Sequence, residues 1–406
     1  MDDSLKRRVL EAVHESDVVD LCRELVRIPS FSGEEQRVAR TLASRFEAAG
    51  MQTRIDDHGN VIAVLEGARP GGPKLLLNGH MDVAPVGRAE LWERDPFAGV
   101  IEDGVLYGRG ACDMKAALAA MTVAGESLAA MRGSLGGELI FVFVTKEERG
   151  NGTRYVLKDK TLAPDFAIVG EATDMDISLG QRYGSLVELT TSGRSVHFQH
   201  YPQQGVDAVG SMMDLLHAIR DMEFPHDPRL GETTWGLTTI EAEPNQFGLI
   251  NDACRVRMLV NLSEMGETLD GPGERLVARI RAVVGDLSRK DPRLVAEVKE
   301  IDHLESFYTS PDDETARPLI ASLCRNIEAR THRTPGFTTW TFGTDAAFFS
   351  RYFGAATVGF GPGVEFDAHL PVDRVELSHL VQATEVYALT AADLLGAGSS
   401  AEASRA

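Results

Sequence analysis

The sequence predicts an α/β protein in which a mostly parallel-sheet catalytic domain is interrupted by an inserted ferredoxin-like α+β domain. Three observations predict this fold class. Short apolar runs alternate with helical segments toward both ends of the chain, a pattern typical of a parallel sheet with crossover helices. Between residues 184 and 300 the rhythm changes to the order β-α-β-β-α-β. The length of 406 residues, with 43% hydrophobic and 25% charged content, is that of a folded chain with more than one domain.

The first part of the parallel-sheet domain, residues 1–183, is predicted to open with two helices. Apolar residues recur at helical spacing from Val18 to Ile28 and from Val38 to Phe46, with Pro29 between the two stretches. We expect Ser32 and Glu35 to form a capping box at the start of the second helix. The segments that follow are strands at 60–65 and 74–77, a helix from Asp113 to about Met131, and strands at 138–145 and 166–169.

The inserted domain is predicted to span residues 184–300. Its strands are expected at 186–190, 235–240, 256–262 and 294–298, with one helix that has Val209, Met213, Leu216 and Ile219 on one face and another that carries Leu276, Ile280, Val284 and Leu287. Helix and strand then alternate again over 301–395, so the chain returns to the first domain. Small polar residues over 396–406 predict a disordered tail.

Composition and charge exclude several classes of function. The chain has 41 Lys and Arg against 61 Asp and Glu, and the net charge of −20 disfavours nucleic acid and anionic membrane surfaces as partners. No apolar run approaches the roughly 20 residues that span a bilayer, and the N-terminal segment lacks the apolar core of a signal peptide. The four cysteines form no CxxC pair, so we expect a cytoplasmic protein without a disulfide framework or a cysteine zinc site.

Histidine and carboxylate residues follow the predicted strands of the parallel sheet at their carboxyl ends, where ligands bind in open sheets. Asp113 adds a further carboxylate at the predicted start of a helix. The segments concerned are Asn78-Gly-His80-Met-Asp82, Lys146-Glu147-Glu148, Gly170-Glu171, Gly361-Pro-Gly363 with the later His369, and Gly108-Arg-Gly110-Ala-Cys-Asp113.

These residue types fit a centre for two divalent metal ions. Imidazole and carboxylate ligands without thiolate suit zinc, manganese, cobalt or nickel. Two ions about 3.5–4 Å apart require a bridging carboxylate and terminal ligands on each side. A further carboxylate must stay free to accept a proton from water, and the adjacent pair Glu147 and Glu148 offers one carboxylate for each task.

The strings GHMD, GRGACDMKAA, the Glu-Glu pair, IVGEAT, and GPG followed by a histidine resemble a known family. It is the di-zinc amidohydrolase and metallopeptidase family of acetylornithine deacetylase, succinyl-diaminopimelate desuccinylase, aminoacylase and carboxypeptidase G. The five motifs occur in order over nearly the whole chain, which makes the resemblance specific. It implies two zinc ions per chain, with cobalt or manganese as alternatives.

The resemblance also implies a role for each residue. One metal would be held by His80 and Glu171, the other by Glu148 and His369, with Asp113 bridging the two. Glu147 would be the general base, and Asp82 would orient His80 from behind.

In the family the inserted domain is a lid that also forms a homodimer. His197 matches the lid histidine that in relatives reaches across the dimer to stabilise the oxyanion. Relatives carry an arginine that grips the substrate carboxylate where this chain has Asn261, so Asn245, Arg255 or Arg257 is the alternative for that task. Arg182 and Thr344 are two further candidates for substrate contact, with a hinge role and a turn-forming role as their respective alternatives.

The activity implied is cleavage of the amide bond of an N-acyl amino acid by a water that bridges the metals. A dipeptidase or carboxypeptidase of the same family is the alternative, also with a small peptide-like substrate. A catalytically silent metal-binding protein is an alternative of another class. Lys146, which stands where relatives usually have aspartate, favours it, and so does the lid segment Gly248-Leu-Ile-Asn251, where relatives usually read Asn-x-x-Pro. The presence of both Glu147 and Glu148 argues against it.

Overall fold

The computed structural model describes residues 3–149, 152–159, 161–266 and 271–396. The chain divides into two compact units. The first comprises the chain up to Gly180, Tyr308–Thr338 and the chain from Thr344 onward, and the second comprises Gln181–Phe307 with Thr339–Gly343. The predicted disordered tail lies, beyond Gly396, outside the described residues. Among the described helices, none is long and apolar enough to cross a membrane.

The described residues form helices α1 to α9 and strands β1 to β16. The helices are α1 Asp3–Ala12, α2 Glu15–Val26, α3 Gln36–Ala48, α4 Ala116–Ala129, α5 Ala208–Arg220, α6 Pro272–Lys290, α7 Arg317–Thr331, α8 Ala346–Phe348 and α9 Leu377–Leu395. The strands are β1 Gln52–Ile55, β2 Val61–Glu66, β3 Arg69–His80, β4 Val100–Glu102, β5 Val105–Tyr107, β6 Gly136–Val144, β7 Phe166–Val169, β8 Ile177–Gln181, β9 Tyr183–Ser192, β10 Thr234–Glu243, β11 Ala253–Leu262, β12 Val295–Leu304, β13 Phe307–Tyr308, β14 Phe337–Trp340, β15 Ala356–Gly359 and β16 Arg374–Glu376.

A large mixed sheet forms the framework of the first unit. Its strand order is β1-β2-β6-β3-β7-β15-β8-β13, with β14 paired to β8. The four central strands β6, β3, β7 and β15 run parallel, whereas β1 and β2 pair antiparallel at one side. Residues 139–144 of β6 are buried without alternation, as expected for a parallel strand covered on both faces. The predicted α/β fold class is confirmed.

The second unit is a four-stranded antiparallel sheet with two helices. Its strand order is β10-β11-β9-β12, and the chain order of its elements is β9-α5-β10-β11-α6-β12. Alternate residues of β11 from Cys254 to Leu262 are buried against the core of this unit, and the residues between them face outward. The ferredoxin-like arrangement predicted from the sequence is therefore confirmed.

The apolar face predicted for α5 is correct only in part, because Val209 and Leu216 pack partly buried on the core while the fully buried stripe is shifted by one residue. Ala208, Met212, Leu215 and Ile219 are buried, while the exposed fraction of Met213 is 56%. The helix contains the adjacent pairs Met212-Met213 and Leu215-Leu216, so two neighbouring apolar stripes fit the helical period equally well. Only the packing against the sheet distinguishes them.

The capping box predicted at Ser32 and Glu35 is also wrong. Helix α3 begins at Gln36. Glu35, the residue before it, has helical backbone angles, and its side chain does not cap the helix. The Glu35 carboxylate accepts hydrogen bonds from the backbone N–H groups of Gly33 and Lys146 at 2.8 and 3.1 Å. The Ser32 hydroxyl donates instead to Asp82 at 2.6 Å. Both side chains hold residues close to the predicted metal ligands.

Candidate metal centre

The carboxyl ends of the four central parallel strands bring the predicted ligands to one edge of the sheet. His80 is the last residue of β3, and Glu171 follows β7 by two residues. Glu147 and Glu148 lie in a short 3-10 turn shortly after β6, and His369 follows β15. Neighbouring parallel strands end at the same edge, so side chains separated widely along the chain meet there.

Asp113 comes from a different element. It lies in the turn Ala111–Lys115, whose peptide bond between Asp113 and Met114 is cis, and α4 begins only at Ala116. The prediction of a helix starting at Asp113 is therefore wrong by three residues. Gly110 enters this turn with φ of +84°, and a Cβ atom there would lie 2.4 Å from Val83 Cγ1, so only glycine fits.

The two carboxylate oxygens of Asp113 face two different histidines. Oδ1 lies 2.8 Å from His80 Nε2, and Oδ2 lies 3.0 Å from His369 Nε2. Glu171 Oε1 lies 3.4 Å from His80 Nε2, and Glu148 Oε1 lies 3.1 Å from His369 Nε2. The site is thus symmetric about Asp113, with one histidine and one glutamate on each side.

The donor set fits divalent metal ions. Donor atoms of His80, Asp113 and Glu148 lie within 4.8 Å of one another. The side chain of His80 is 2% exposed and that of His369 is 57% exposed, so the group extends from the interior to the surface. Three carboxylates converge here on two imidazoles, and bound cations would offset the repulsion among these carboxylates.

Asp82 contacts His80 and both glutamates of the Glu-Glu pair. His80 Nδ1 lies 2.9 Å from the backbone oxygen of Asp82 and 3.6 Å from its carboxylate. We therefore assign a proton to Nδ1, which makes Nε2, the nitrogen that faces Asp113, the one available to a metal ion. The Asp82 carboxylate accepts the backbone N–H groups of Glu147 at 3.0 Å and Glu148 at 3.2 Å. Its backbone thus holds the histidine while its side chain holds the glutamate pair.

Sequence reasoning missed Asp345, which holds the 3-10 segment that follows the glutamate pair. Its carboxylate is buried and accepts the backbone N–H of Thr153 at 3.2 Å, in the 3-10 segment that follows the glutamate pair. A Cβ atom on Gly152 would lie 2.8 Å from this carboxylate, so glycine is required for the close approach. Burial raises the pKa of Asp345 to about 6. No local motif links positions 152 and 345, which explains the omission.

Burial and the close approach of several carboxylates shift the pKa values of the residues in the centre. The hydrogen bonds that His369 donates to Asp113 and Glu148 raise its pKa to about 10. Burial alone would lower the pKa of His80, but the carboxylates of Glu171 and Asp113 outweigh burial and raise it. Burial raises the pKa of Glu171 to about 7 and raises the pKa of Glu147 well above its ordinary value. Without metal, protons occupy the histidines that would act as ligands.

Metal binding is therefore expected to release protons. At pH 8 the free protein carries a proton on His369, whose pKa is about 10, and a histidine must lose that proton to coordinate a metal. Metal affinity should fall as the pH is lowered, more steeply below the pKa of about 7 at Glu171, where this carboxyl group must lose a proton as well. Calorimetric zinc titrations at pH 8 in buffers of different ionisation enthalpy measure this release. Binding heats that do not change with the buffer would contradict the prediction.

The residues predicted to contact substrate have the following surroundings. Thr344 is buried and its Oγ1 accepts the N–H of Ala346 at 3.1 Å, as in a turn-forming role. Arg182 is buried and its Nε donates to the backbone oxygen of Leu230 at 2.8 Å, within the second unit. The side chains of His197 and Asn245 are exposed in that unit. Contact of any of the four with substrate stays a prediction.

The two arginines proposed as substitutes for the lid arginine lie on the outer face of the second sheet. Arg257 Nε lies 3.0 Å from a carboxylate oxygen of Glu188, and Arg255 Nε lies 3.8 Å from the same oxygen. Both guanidinium groups thus have an acidic neighbour within their own unit.

A carboxylate flanked by two histidine–glutamate pairs, at the carboxyl edge of a parallel sheet, is typical of an α/β metalloprotein. The sequence model of the peptidase family M20/M25/M40 matches residues 76–393 of the chain. The chain therefore belongs to this family. It is accordingly a metal-dependent hydrolase of amide or peptide bonds. The resemblance inferred from the five motifs is confirmed.

Relatives and solved structures agree with this membership. The chain is 30% identical over 382 residues to a succinyl-diaminopimelate desuccinylase of Maricaulis maris, covering 90% of this chain and 93% of the relative. The structure of the di-peptidase Dug1p from Saccharomyces cerevisiae is similar with a TM-score of 0.77 at 13% identity, over 96% of this chain and 98% of that one. The structure of the YXEP protein of Bacillus subtilis, described as a dinuclear metal binding peptidase, is similar with a TM-score of 0.71 at 17% identity. The match covers 94% of this chain and 98% of that one. At these identities the solved structures show the fold alone.

Proposed function

We propose that this protein hydrolyses the amide bond of an N-acyl amino acid with the aid of two divalent metal ions, zinc being the expected metal. The observation that carries the proposal is the Asp113 carboxylate, whose two oxygens each approach the Nε2 atom of a different histidine at 2.8 and 3.0 Å. The name of the Maricaulis relative, a desuccinylase, supports an N-acyl substrate.

The metal ligands follow from the two sides of Asp113. We assign one ion to His80 and Glu171 and the other to Glu148 and His369, with Asp113 shared between them. Bound ions would supply a Lewis acid for the amide carbonyl and a lower pKa for water. The similarity to the Bacillus subtilis protein, a dinuclear metal binding peptidase, supports two ions.

Glu147 is the residue proposed to move the proton. Its neighbour Glu148 faces His369, whereas burial raises the pKa of Glu147 well above its ordinary value. In its ionised form, a carboxylate with a raised pKa is a stronger base, and it can accept the proton of the attacking water and then deliver it to the leaving nitrogen. The hydrogen bond from its backbone N–H to Asp82 holds the residue in place for both steps.

The second unit is proposed to act as the lid and as the homodimer contact. Strand β10 forms an edge of its sheet, and Leu237 and Ile240 on it are 42% and 63% exposed. Met213 of α5 is exposed as well. A free strand edge that carries apolar side chains is a surface suited to pairing with a second chain. Four free cysteines in the described residues support a reducing compartment, which we propose is the cytoplasm.

His197 is the residue proposed to stabilise the oxyanion from the lid. Its side chain is exposed and accepts a hydrogen bond from the Gln199 N–H at Nδ1. His197→Ala is expected to lower kcat by about 10²–10³-fold with little change in KM, the usual cost of removing one oxyanion donor. His200→Ala, at an exposed histidine three residues further on, is the matched control and should behave like the wild type. Wild-type kcat in the His197 variant would refute the role.

A substrate panel tests the proposed activity. The zinc-loaded protein should cleave N-acetyl or N-succinyl amino acids, while free dipeptides of the same amino acids should be poor substrates. The reverse preference would favour the dipeptidase alternative, which the similarity to the Saccharomyces cerevisiae di-peptidase supports. Cobalt and manganese forms should be assayed in parallel, because the ligand types suit all three metals. Inactivity of every metal form on both substrate classes would contradict the proposal.

A further inference from the structure

A buried ion pair that the proposed function does not use joins Arg109 to Asp373. Arg109 Nη1 lies 3.1 Å from Asp373 Oδ2, and the two side chains are 2% and 0% exposed. Neither residue belongs to the proposed ligand set. Two charges without access to water are costly to bury, so this pair requires an explanation.

The Asp373 carboxylate holds the turn that carries the proposed bridging ligand. Its Oδ2 accepts the backbone N–H of Gly110 at 2.7 Å, and its Oδ1 accepts that of Cys112 at 2.8 Å. These two N–H groups lie on the turn directly before Asp113. The direction of the Asp113 side chain therefore depends on where Asp373 holds this backbone.

The Arg109 guanidinium connects the same turn to the other side of the centre. Its Nη2 donates to the backbone oxygen of His369 at 3.1 Å and to that of Pro85 at 3.3 Å. The Arg109 guanidinium thus contacts the turn indirectly, through Asp373, and contacts His369 directly, at the backbone oxygen of that histidine. A lysine has a single donor group and could not reach all of these acceptors in one geometry.

The Arg109–Asp373 pair is better explained by the backbone groups that it holds in place than by a gain in the stability of the fold. Arg109 Nε is buried and forms no hydrogen bond within the described residues, and the guanidinium lies 5.0 Å from the centre of the Trp92 ring. An apolar pair of similar size is often as stable as a buried ion pair. An apolar pair would not fix the backbone N–H groups of Gly110 and Cys112 or the carbonyl of His369.

We propose that Arg109 and Asp373 are positioning residues that set the separation between Asp113 and His369, and thereby the affinity for the metal ion held by Glu148 and His369. This inference rests on the proposed metal centre. Neither residue needs to touch the metal or the substrate. The pair acts by holding two backbone segments in place, the one directly before Asp113 and the one at His369.

Cobalt titrations of the full chain test the proposal. In Asp373→Asn and Arg109→Lys, the dissociation constant of the cobalt ion held by Glu148 and His369 should rise by about 10–100-fold, as for other residues that orient metal ligands without touching the metal. The visible absorption of that ion should change as well. Arg109→Lys keeps the positive charge and so remains informative if Asp373→Asn does not fold.

Glu385→Gln is the matched control because it breaks an Arg–carboxylate pair, with Arg330, that joins α7 to α9. It should lower the melting temperature without changing either cobalt constant. Wild-type cobalt constants and spectra in both positioning variants would overturn the inference, as would losses that only follow the loss of thermal stability. A wild-type protein that binds fewer than two cobalt ions would instead refute the proposed centre itself.

Discussion

Glu147→Ala is expected to retain the full metal content and to lose turnover, with kcat reduced by about 10²–10⁴-fold or below detection. That range is the usual contribution of a positioned general acid or base. Glu147 contacts Asp82 through its backbone N–H, which the substitution preserves, and the metal-facing carboxylate next to it belongs to Glu148. The loss should therefore appear in proton transfer and not in metal binding.

The measurement pairs steady-state kinetics with elemental analysis of the same sample. Glu147→Gln, which keeps the size of the side chain but cannot accept the proton, should be as inactive as the alanine variant. Glu126→Gln serves as the control, since Glu126 is half-buried and pairs with Arg45 away from the strand ends. Full activity in either Glu147 variant would show that another group accepts the proton.

Asp113→Ala is expected to have the largest effect on the metal centre. Both histidines direct Nε2 at this carboxylate, so its removal takes a ligand from both proposed ions. Bound metal should fall below two ions per chain, and kcat/KM should fall by about 10³-fold or more, because metal ions contribute several kcal/mol to such transition states. Elemental analysis and kinetics measure the two effects.

The same substitution makes a second prediction for the metal-free protein. The hydrogen bond to Asp113 is the leading cause of the raised pKa of His369, about 10 in the intact protein. In Asp113→Ala this pKa should move toward the ordinary histidine value, which an NMR titration of the ring protons reports. Asp291→Asn, at an exposed aspartate paired with Arg293, should leave it unchanged. A variant with two bound ions and an unshifted His369 would contradict the bridging role.

The residues named from the sequence at strand ends could be found because their positions depend on local pattern. His80 and Glu171 each follow an apolar run whose strand character is readable, and parallel strands end at one edge of the sheet. The fold class followed from the same alternation. In both cases local pattern and global fold agree, which is the condition under which sequence reasoning succeeds.

The residues that hold the centre in place could not be predicted in this way. Ser32 fits a capping box in its local sequence, yet its hydroxyl donates to Asp82, fifty residues further along the chain. Arg109 and Asp373 are 264 residues apart, and no spacing connects them. Such contacts depend on how distant segments pack, and a single sequence carries no signal for that packing.

The predicted start of α4 is wrong for a similar reason. The sequence predicts a helix that begins at Asp113, because a carboxylate before an apolar run is a typical helix start. The chain forms instead the turn Ala111–Lys115, in which residues 113 and 114 have non-helical backbone angles. Asp113 can therefore present its two oxygens to opposite sides, while Lys115 anchors the turn by donating to the backbone oxygen of Ile28 at 2.7 Å.

The most direct test of the central claim is anomalous diffraction from crystals of the zinc-loaded protein, recorded on both sides of the zinc absorption edge. We expect two peaks about 3.5–4 Å apart, the separation typical of carboxylate-bridged pairs, with the Asp113 carboxylate between them. One peak should lie beside His80 and Glu171 and the other beside Glu148 and His369. A single peak, or two peaks that do not share Asp113, would contradict the account.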